Sequence, residues 1–251
     1  MHRSRTVIFA FGLLFVSYLS ACSGGGDTTP SPTGLPTASA EGLWAGTTDT
    51  NRIVKALVLD DGVYWALYSE ASNPSIIAGV VQGNSSSQNE AFTSSNARDF
   101  NLQTGILEAT INGSYAMKQS LNGTIAYQTG GQSTFTMTYD SDYDLTPDMN
   151  AVAGTYNGFI TASETVTVIV STNGAISGNS STGCTFSGSF SPRKHGNVFD
   201  VTITFNGEPG CSIGKETVNG IAFYDAGTKQ LRSAALNGNR TDGFVFIGTK
   251  P

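Results

Sequence analysis

The chain has few residues of the types that usually perform catalysis or hold metal ions. Its 251 residues include three cysteines and two histidines. A multi-histidine zinc site needs more histidines than this, and outside the N-terminal segment a Ser-His-Asp triad has only His195 available. His195 stands among turn-forming residues, where an exposed loop position is expected. The sequence therefore predicts no catalytic site and no cofactor.

One acidic run resembles a calcium loop in its spacing. Carboxylates at alternate positions suit a hard cation, and here they are Asp140, Asp142 and Asp144. An EF-hand would next need Gly at position 145 and Glu at position 151, but Leu145 and Ala151 stand there. We expect an acidic connector between domains, with a looser calcium site that shares Asp148 as the weaker alternative.

The N-terminus has the three parts of a secretory signal. Arg3 and Arg5 are positive, the stretch 7–18 is mainly apolar, and small residues precede a cysteine in Leu19, Ser20, Ala21 and Cys22. This segment resembles the signal and lipobox of bacterial lipoproteins. The alternatives are an ordinary cleaved signal with a chance cysteine, or a membrane span, for which the apolar run falls short of about 20 residues.

The lipoprotein resemblance implies a location. It implies cleavage before Cys22, a diacylglyceryl thioether on its sulfur and a further acyl chain, such as palmitate, on its amine. In Gram-negative relatives Asp after the cysteine retains the protein in the inner membrane, and here that residue is Ser23. The resemblance thus implies a lipid anchor in the outer membrane, with the protein facing either the periplasm or the cell surface.

Composition separates a tether from two folded parts. Residues 22–40 are rich in Gly, Ser, Thr and Pro, so we expect a flexible tether after the signal peptide at 1–21. Loss of Arg3 and Arg5 lowers Lys and Arg from 13 to 11 against 19 acidic residues, a net charge near −8. This acidic balance excludes a typical nucleic-acid-binding protein. We place domain 1 at 41–144 and domain 2 at 145–251.

The other two cysteines, Cys184 and Cys211, form a pair in an oxidising compartment. Such pairing favours a disulfide. A metal site or a catalytic thiol is the alternative, but a metal would need further ligands.

Alternating apolar residues predict an all-β protein. In the segment 198–205, Phe199, Val201, Ile203 and Phe205 share one face, opposite polar residues, as a half-buried strand requires. Similar runs, separated by Gly, Asn and Asp, give about eight strands in each half. Eight antiparallel strands can close into a barrel, so we expect two tandem barrels, with two β-sandwiches as the alternative.

The two halves begin alike. The segment 42–46 reads Gly-Leu-Trp-Ala-Gly, and 154–158 reads Gly-Thr-Tyr-Asn-Gly. In both, the next strand ends at a Gly-containing hairpin turn, at 60–62 and at 172–174. These parallels predict an internal duplication. The first pentapeptide also matches the short Gly-x-Trp signature that opens lipocalin-like barrels.

Aromatic residues are concentrated in the first half. Strict alternation places Tyr64 and Tyr68 on one strand face and Trp65 on the other. One face can therefore present aromatics outward, and exposed aromatics mark binding patches. Core packing is the alternative. The candidate binding residues are Trp44, Tyr64, Trp65 and Tyr68.

These observations predict a non-enzymatic, lipid-anchored protein of the bacterial envelope that binds a protein or a small molecule. In its tether and architecture the chain resembles double-barrel surface lipoproteins such as transferrin-binding protein B, although the two share no motif. A structural or assembly role at the outer membrane is the second hypothesis. An enzyme inhibitor or an enzyme with an unfamiliar site is the third.

Overall fold

The computed structural model describes residues 39–159 and 164–251, which form two β-barrels. The first barrel is built from nine strands: β1 (Gly42–Thr48), β2 (Ile53–Val58), β3 (Val63–Ser69), β4 (Ile77–Asn84), β5 (Ser86–Gln88), β6 (Ala91–Asn101), β7 (Gly105–Ala116), β8 (Ser120–Tyr127) and β9 (Gln132–Asp140). A turn of 3₁₀ helix (Ser141–Asp144) and the short helix α1 (Met149–Val152) follow.

Eight of these strands close the first barrel. Strand β9 pairs with β1, and β4 pairs with β6 through contacts such as Val81 opposite Asp99. The short strand β5 pairs only with β6, outside the ring. Strands β6 and β7 form a long hairpin, and β6 contains an irregularity between Ser94 and Ala97 that interrupts the alternation of its side chains.

The second barrel closes in sequence order. Its strands are β10 (Gly154–Phe159), β11 (Thr165–Val170), β12 (Ala175–Ser180), β13 (Thr185–Pro192), β14 (Phe199–Phe205), β15 (Thr217–Asp225), β16 (Gln230–Leu236) and β17 (Gly243–Thr249). Antiparallel pairing of β17 with β10 closes the ring. Two tandem barrels are thus confirmed, and the sandwich alternative is wrong. Within the described residues no helix is long and apolar enough to cross a membrane.

The aromatic residues at the third position of the two pentapeptides, Trp44 and Tyr156, make equivalent contacts. Trp44 is fully buried and donates from Nε1 to the carbonyl oxygen of Ala40 at 2.9 Å. Tyr156 is also fully buried and donates its hydroxyl to the carbonyl oxygen of Val152 at 2.5 Å. In each barrel an aromatic side chain therefore fixes the chain four residues upstream against one end.

The final glycines of the two pentapeptides, Gly46 and Gly158, are both required by the close approach of a neighbouring strand. A Cβ atom on Gly46 would overlap the backbone of Thr136 in β9, and one on Gly158 would overlap the backbone of Ile247 in β17. Both partners lie on the strand that closes the respective barrel. Only glycine fits this close approach.

The barrels pack against each other through an apolar layer. Trp65 and Leu67 on the outer face of β3 meet Ile221 and Phe223 on the outer face of β15, within one cluster of buried side chains. Because β-strand side chains alternate between faces, the same strands line both a barrel interior and this layer. The outward aromatic face that the sequence predicts is thus covered by the second barrel.

Polar contacts add to this layer at two points. Arg240, in the β16–β17 turn, donates from Nη2 to the carbonyl oxygens of Gln82 at 2.6 Å and Asn96 at 3.0 Å. Arg193, in the β13–β14 loop, pairs with Asp60 of the first barrel at 2.8 Å. Charged donors thus reach from loops of the second barrel to the first.

Candidate functional site

The interiors of the two barrels differ in how completely side chains fill them. The first barrel encloses a cavity of about 370 Å³. The second retains about 30 Å³, because five phenylalanines project into it: Phe186, Phe190, Phe205, Phe244 and Phe246. An eight-stranded barrel is wide enough either to be packed by side chains or to hold one small ligand. The two barrels realise these two outcomes.

The cavity opens at one end of the first barrel. Its lining includes Thr50 and Arg52 in the β1–β2 loop and Gly131 beside β9, all at the same end. We refer to this end, formed by the loops 49–52 and 128–131, as the mouth. Strand β1 begins at the opposite end, where Trp44 holds Ala40. The site is therefore a pocket that is closed at one end and open at the other.

The deeper wall is apolar. It is formed by inward-facing aliphatic side chains from five strands: Val58, Val81, Ile111, Leu121, Ile125 and Met137. At this depth Tyr64 adds a hydroxyl that donates to Ser94 Oγ at 3.0 Å. Burial raises the pKa of Tyr64 to about 12, so it stays a neutral hydrogen-bonded residue. A mainly apolar pocket with a few fixed polar groups is typical of small-molecule sites.

A polar cluster lies between this wall and the mouth. Tyr68 donates its hydroxyl to Asp99 Oδ1 at 2.6 Å, and Tyr127 donates to Asp99 Oδ2 at 3.0 Å. Asn101 donates from Nδ2 to the Tyr68 hydroxyl at 3.1 Å. We call these four residues the Asp99 cluster. It places one buried carboxyl group among hydroxyls, next to the apolar wall of the barrel.

Burial determines the acid–base behaviour of this cluster. Asp99 is only 2% exposed, and desolvation raises the pKa of its carboxyl group although the two tyrosine hydroxyls and Arg52 oppose the rise. Burial likewise raises the pKa of Tyr68 and Tyr127, and the neighbouring Asp99 charge raises both further. Both tyrosines therefore remain protonated donors at neutral pH.

Arg52 stands at the mouth beside this cluster. Its Nη1 donates to the carbonyl oxygen of Ser69 at 2.9 Å, and its guanidinium lies 5.4 Å from the centre of the Tyr68 ring. These contacts hold the guanidinium charge of Arg52 beside Tyr68, on the side that faces the mouth.

The structure separates the four aromatic candidates. Tyr64 and Tyr68 line the cavity. Trp44 closes the far end of the barrel, and Trp65, 5% exposed, packs in the layer between the barrels. Core and interface packing account for the two tryptophans, so exposed aromatics do not form a patch here.

The acidic run contributes to ion pairs. Asp140 pairs with Lys55 at 2.6 Å and caps the 3₁₀ turn, while Asp144 pairs with Lys118 at 2.7 Å. Asp142 follows its neighbour in the same turn, and its backbone N–H donates to the Asp140 side chain. The carboxylates of Asp140 and Asp144 are thus each engaged with a different lysine.

Cys184 and Cys211 form the disulfide that the sequence predicts, with Cα atoms 4.5 Å apart. Glu208 Oε2 lies 3.4 Å from Cys211 Sγ. In the described chain these three residues are the only set of Cys, His, Asp and Glu side chains close enough to share a metal ion. The disulfide bond removes the thiolates that such a site would need.

Two further sequence predictions concern His195 and the lipobox. His195 is exposed in the β13–β14 loop, as expected, with Nδ1 4.0 Å from Glu41 Oε1. The lipobox residues Leu19 to Cys22 lie outside the described residues, so lipidation stays a prediction.

Sequence reasoning missed Asp99, Tyr127 and Arg52. Asp99 lies in the part of β6 beyond the irregularity, where the alternation restarts in a new phase. A signal was available there, because Asp99 alternates with Ala97 and Asn101 along a strand. Its inward direction becomes visible only once the register is known.

No protein-family profile matches the chain, and no curated protein matches it. Among solved structures, a similar one is a mutant of the vaccine antigen transferrin binding protein B from Haemophilus parasuis Hp5. The identity is 11% and the TM-score 0.29, over 79% of this chain and 50% of that chain. The chain thus spans about half the length of that protein, and the likeness carries no conclusion about function.

Proposed function

We propose that the chain is a non-enzymatic binding protein whose first barrel holds a small, largely apolar molecule. The observation that carries this proposal is the contrast between the barrels. A cavity of about 370 Å³ lies in one, and phenylalanines fill the other to about 30 Å³. The larger volume falls within the range of about 300–1,000 Å³ of small-molecule sites.

The pocket's chemistry also favours binding over catalysis. The two tyrosine hydroxyls of the Asp99 cluster both donate to Asp99, and each tyrosine has a raised pKa, so neither is an activated nucleophile. His195, the one histidine of the described residues, lies in a loop of the other barrel. These features support a role in holding a molecule.

A dye-binding titration tests this proposal. The neutral apolar fluorophore N-phenyl-naphthylamine should bind with a stoichiometry of one per chain and brighten on entering the barrel. Ala56→Leu, which projects into the cavity, should weaken binding, while Ala235→Leu in the filled barrel should leave it unchanged. Binding that is absent, or that responds to Ala235→Leu alone, contradicts the proposal.

The second part of the proposal is the location. We propose that lipid on Cys22 holds the protein in the outer membrane of a Gram-negative envelope. The lipobox and Ser23 support this through the resemblance described above. The first described residues enter the first barrel at its closed end, so a tether attached there leaves the mouth free.

Membrane fractionation with two variants tests the location. Cells fed labelled palmitate should label the wild-type chain, and Cys22→Ser should abolish both the label and membrane retention. Ser23→Asp should keep the label but move the protein to the inner membrane. A Cys22→Ser chain that stays membrane-bound, or a Ser23→Asp chain that stays in the outer membrane, contradicts the respective step.

A further inference from the structure

The hydroxyl groups of the Asp99 cluster can offer only hydrogen-bond acceptors to the cavity, because their own protons are already donated. A tyrosine hydroxyl has one proton, and after donating it can only accept. Tyr68 and Tyr127 both give their protons to Asp99. Tyr68 also accepts from Asn101, which leaves the lone pairs of Tyr127 and of the carboxylate. A molecule that reaches the Asp99 carboxyl group and the Tyr127 hydroxyl finds acceptors, and the donors left at this level belong to Asn101 and Arg52.

The carboxyl group of Asp99 forms no direct ion pair within the described residues, although the nearby charge of Arg52 acts to lower its pKa. None of the ion pairs in the described parts of the chain involves it. The nearby Arg52 instead donates to the Ser69 carbonyl group and lies over the Tyr68 ring. A buried carboxylate is stabilised by hydrogen-bond donors or by a positive charge. A second negative charge beside it would be strongly unfavourable.

The position of the cluster fixes the orientation of a ligand. It lies toward the mouth, since Tyr127 is the last residue of β8 and Tyr68 is next to the end of β3. Beneath it the wall is aliphatic. A molecule with an apolar body would enter the cavity with that body first, and its polar head would remain at the level of Asp99.

We propose that the first barrel binds an amphipathic molecule whose head group donates hydrogen bonds, a hydroxyl or an ammonium, and that Asp99 determines this specificity by rejecting carboxylate heads. The inference rests on the proposed function, because it assumes that the cavity binds a small molecule. It adds the chemical class of that molecule and the residue that selects it.

Three probes of equal chain length test the selection: octanol, octylamine and octanoate. Calorimetric titration should use the chain from residue 22 onward with Cys22→Ser, which lacks the acyl chains. The folded part is retained, because the described residues, which begin at 39, all lie within one compact unit. Octanol and octylamine should bind about tenfold or more tightly than octanoate, because octanoate would place two like charges together at low dielectric.

Two matched variants assign the effect to one residue. Asp99→Asn removes the buried charge with little change in shape, and the preference against octanoate should fall below about threefold. Asp242→Asn makes the same chemical change in the β16–β17 turn of the second barrel, where Asp242 Oδ1 accepts from the backbone N–H of Gly243 at 2.8 Å. This variant should keep the wild-type preference.

The outcomes distinguish the two proposals. Octanoate binding as tightly as octanol to the wild-type chain, or an unchanged preference in Asp99→Asn, overturns the assignment of head group while leaving a binding barrel in place. If neither the three probes nor the apolar dye binds, the proposed function fails as well. The wild-type series decides the first question even if Asp99→Asn does not fold.

Discussion

Filling the first barrel should stabilise the protein, whereas the same substitution in the second barrel should destabilise it. Ala56 is 4% exposed and lines the cavity. Leucine adds three carbons at this position. At about 0.8 kcal/mol for each buried methylene group, the gain is about 2 kcal/mol in the free energy of unfolding. Ala235 is fully buried among the phenylalanines, where the added carbons should cost about 1–3 kcal/mol.

The chain contains its own probe for this experiment. Its two tryptophans, Trp44 and Trp65, both lie in the first barrel. Trp65 packs in the layer between the barrels, whereas Trp44 lies in the interior of the first barrel. Tryptophan fluorescence in urea, measured in a Trp65→Phe background, therefore follows the unfolding of that barrel. Native-state hydrogen exchange of the β14 and β15 amides follows the second barrel separately. Together the two measurements assign each change in stability to one barrel.

The signs of the two changes decide the question. If Ala56→Leu lowers the free energy of unfolding by an amount similar to Ala235→Leu, the first barrel has no room for three carbons. The cavity and the ligand proposal would then both be wrong. If neither variant changes stability by more than about 0.5 kcal/mol, the contrast in packing between the barrels has no energetic meaning.

Three further predictions concern the disulfide, the buried acid and the contact between barrels. Replacing Cys184 and Cys211 by Ser opens a loop with a sequence separation of 27, which should cost about 3.5 kcal/mol; a loss below about 1 kcal/mol in urea unfolding contradicts this. The pKa of Asp99 is raised in the folded chain. The stabilising effect of Asp99, measured as the free energy of unfolding relative to Asp99→Asn, should therefore be greatest below the unfolded pKa near 3.8. That effect is lost as pH rises through the folded pKa, so a stability difference that grows with pH refutes it. Arg240→Ala removes two hydrogen bonds to the first barrel and should lower the free energy of unfolding by about 1–2 kcal/mol. Amide exchange in β4 and β6 should become faster, with Arg240→Lys as the control. Unchanged amide exchange in these two strands contradicts the prediction.

The alternation of apolar residues was sufficient to predict the fold. It places Phe199, Val201 and Ile203 inside the second barrel, where they are buried. The turn glycines at 62 and 174 have the positive φ angles, 83° and 85°, that hairpin turns favour. These signals are local, because a strand's two faces and a turn's backbone depend on neighbouring residues alone. Whether the two halves arose by duplication stays a prediction.

The candidate site could not be predicted in the same way. Its polar cluster joins Tyr68 on β3, Asp99 on β6 and Tyr127 on β8, which meet only when the barrel closes. The irregularity in β6 also shifts the alternation before Asp99. The amount of space in a barrel depends on how side chains from opposite walls meet across it. Local patterns do not contain that information.

The two barrels are therefore suited to different roles, and the apolar layer between them lets one barrel support the other. A barrel that keeps a cavity loses the contacts across its interior that stabilise a filled core. In the first barrel, outward-facing Leu57 and Trp65 regain contacts by packing against Phe223 of the second barrel. The second barrel is itself filled by phenylalanines and crosslinked by the disulfide. It can thus act as the rigid support against which one wall of the open barrel is held, so that the pocket keeps its shape without being filled.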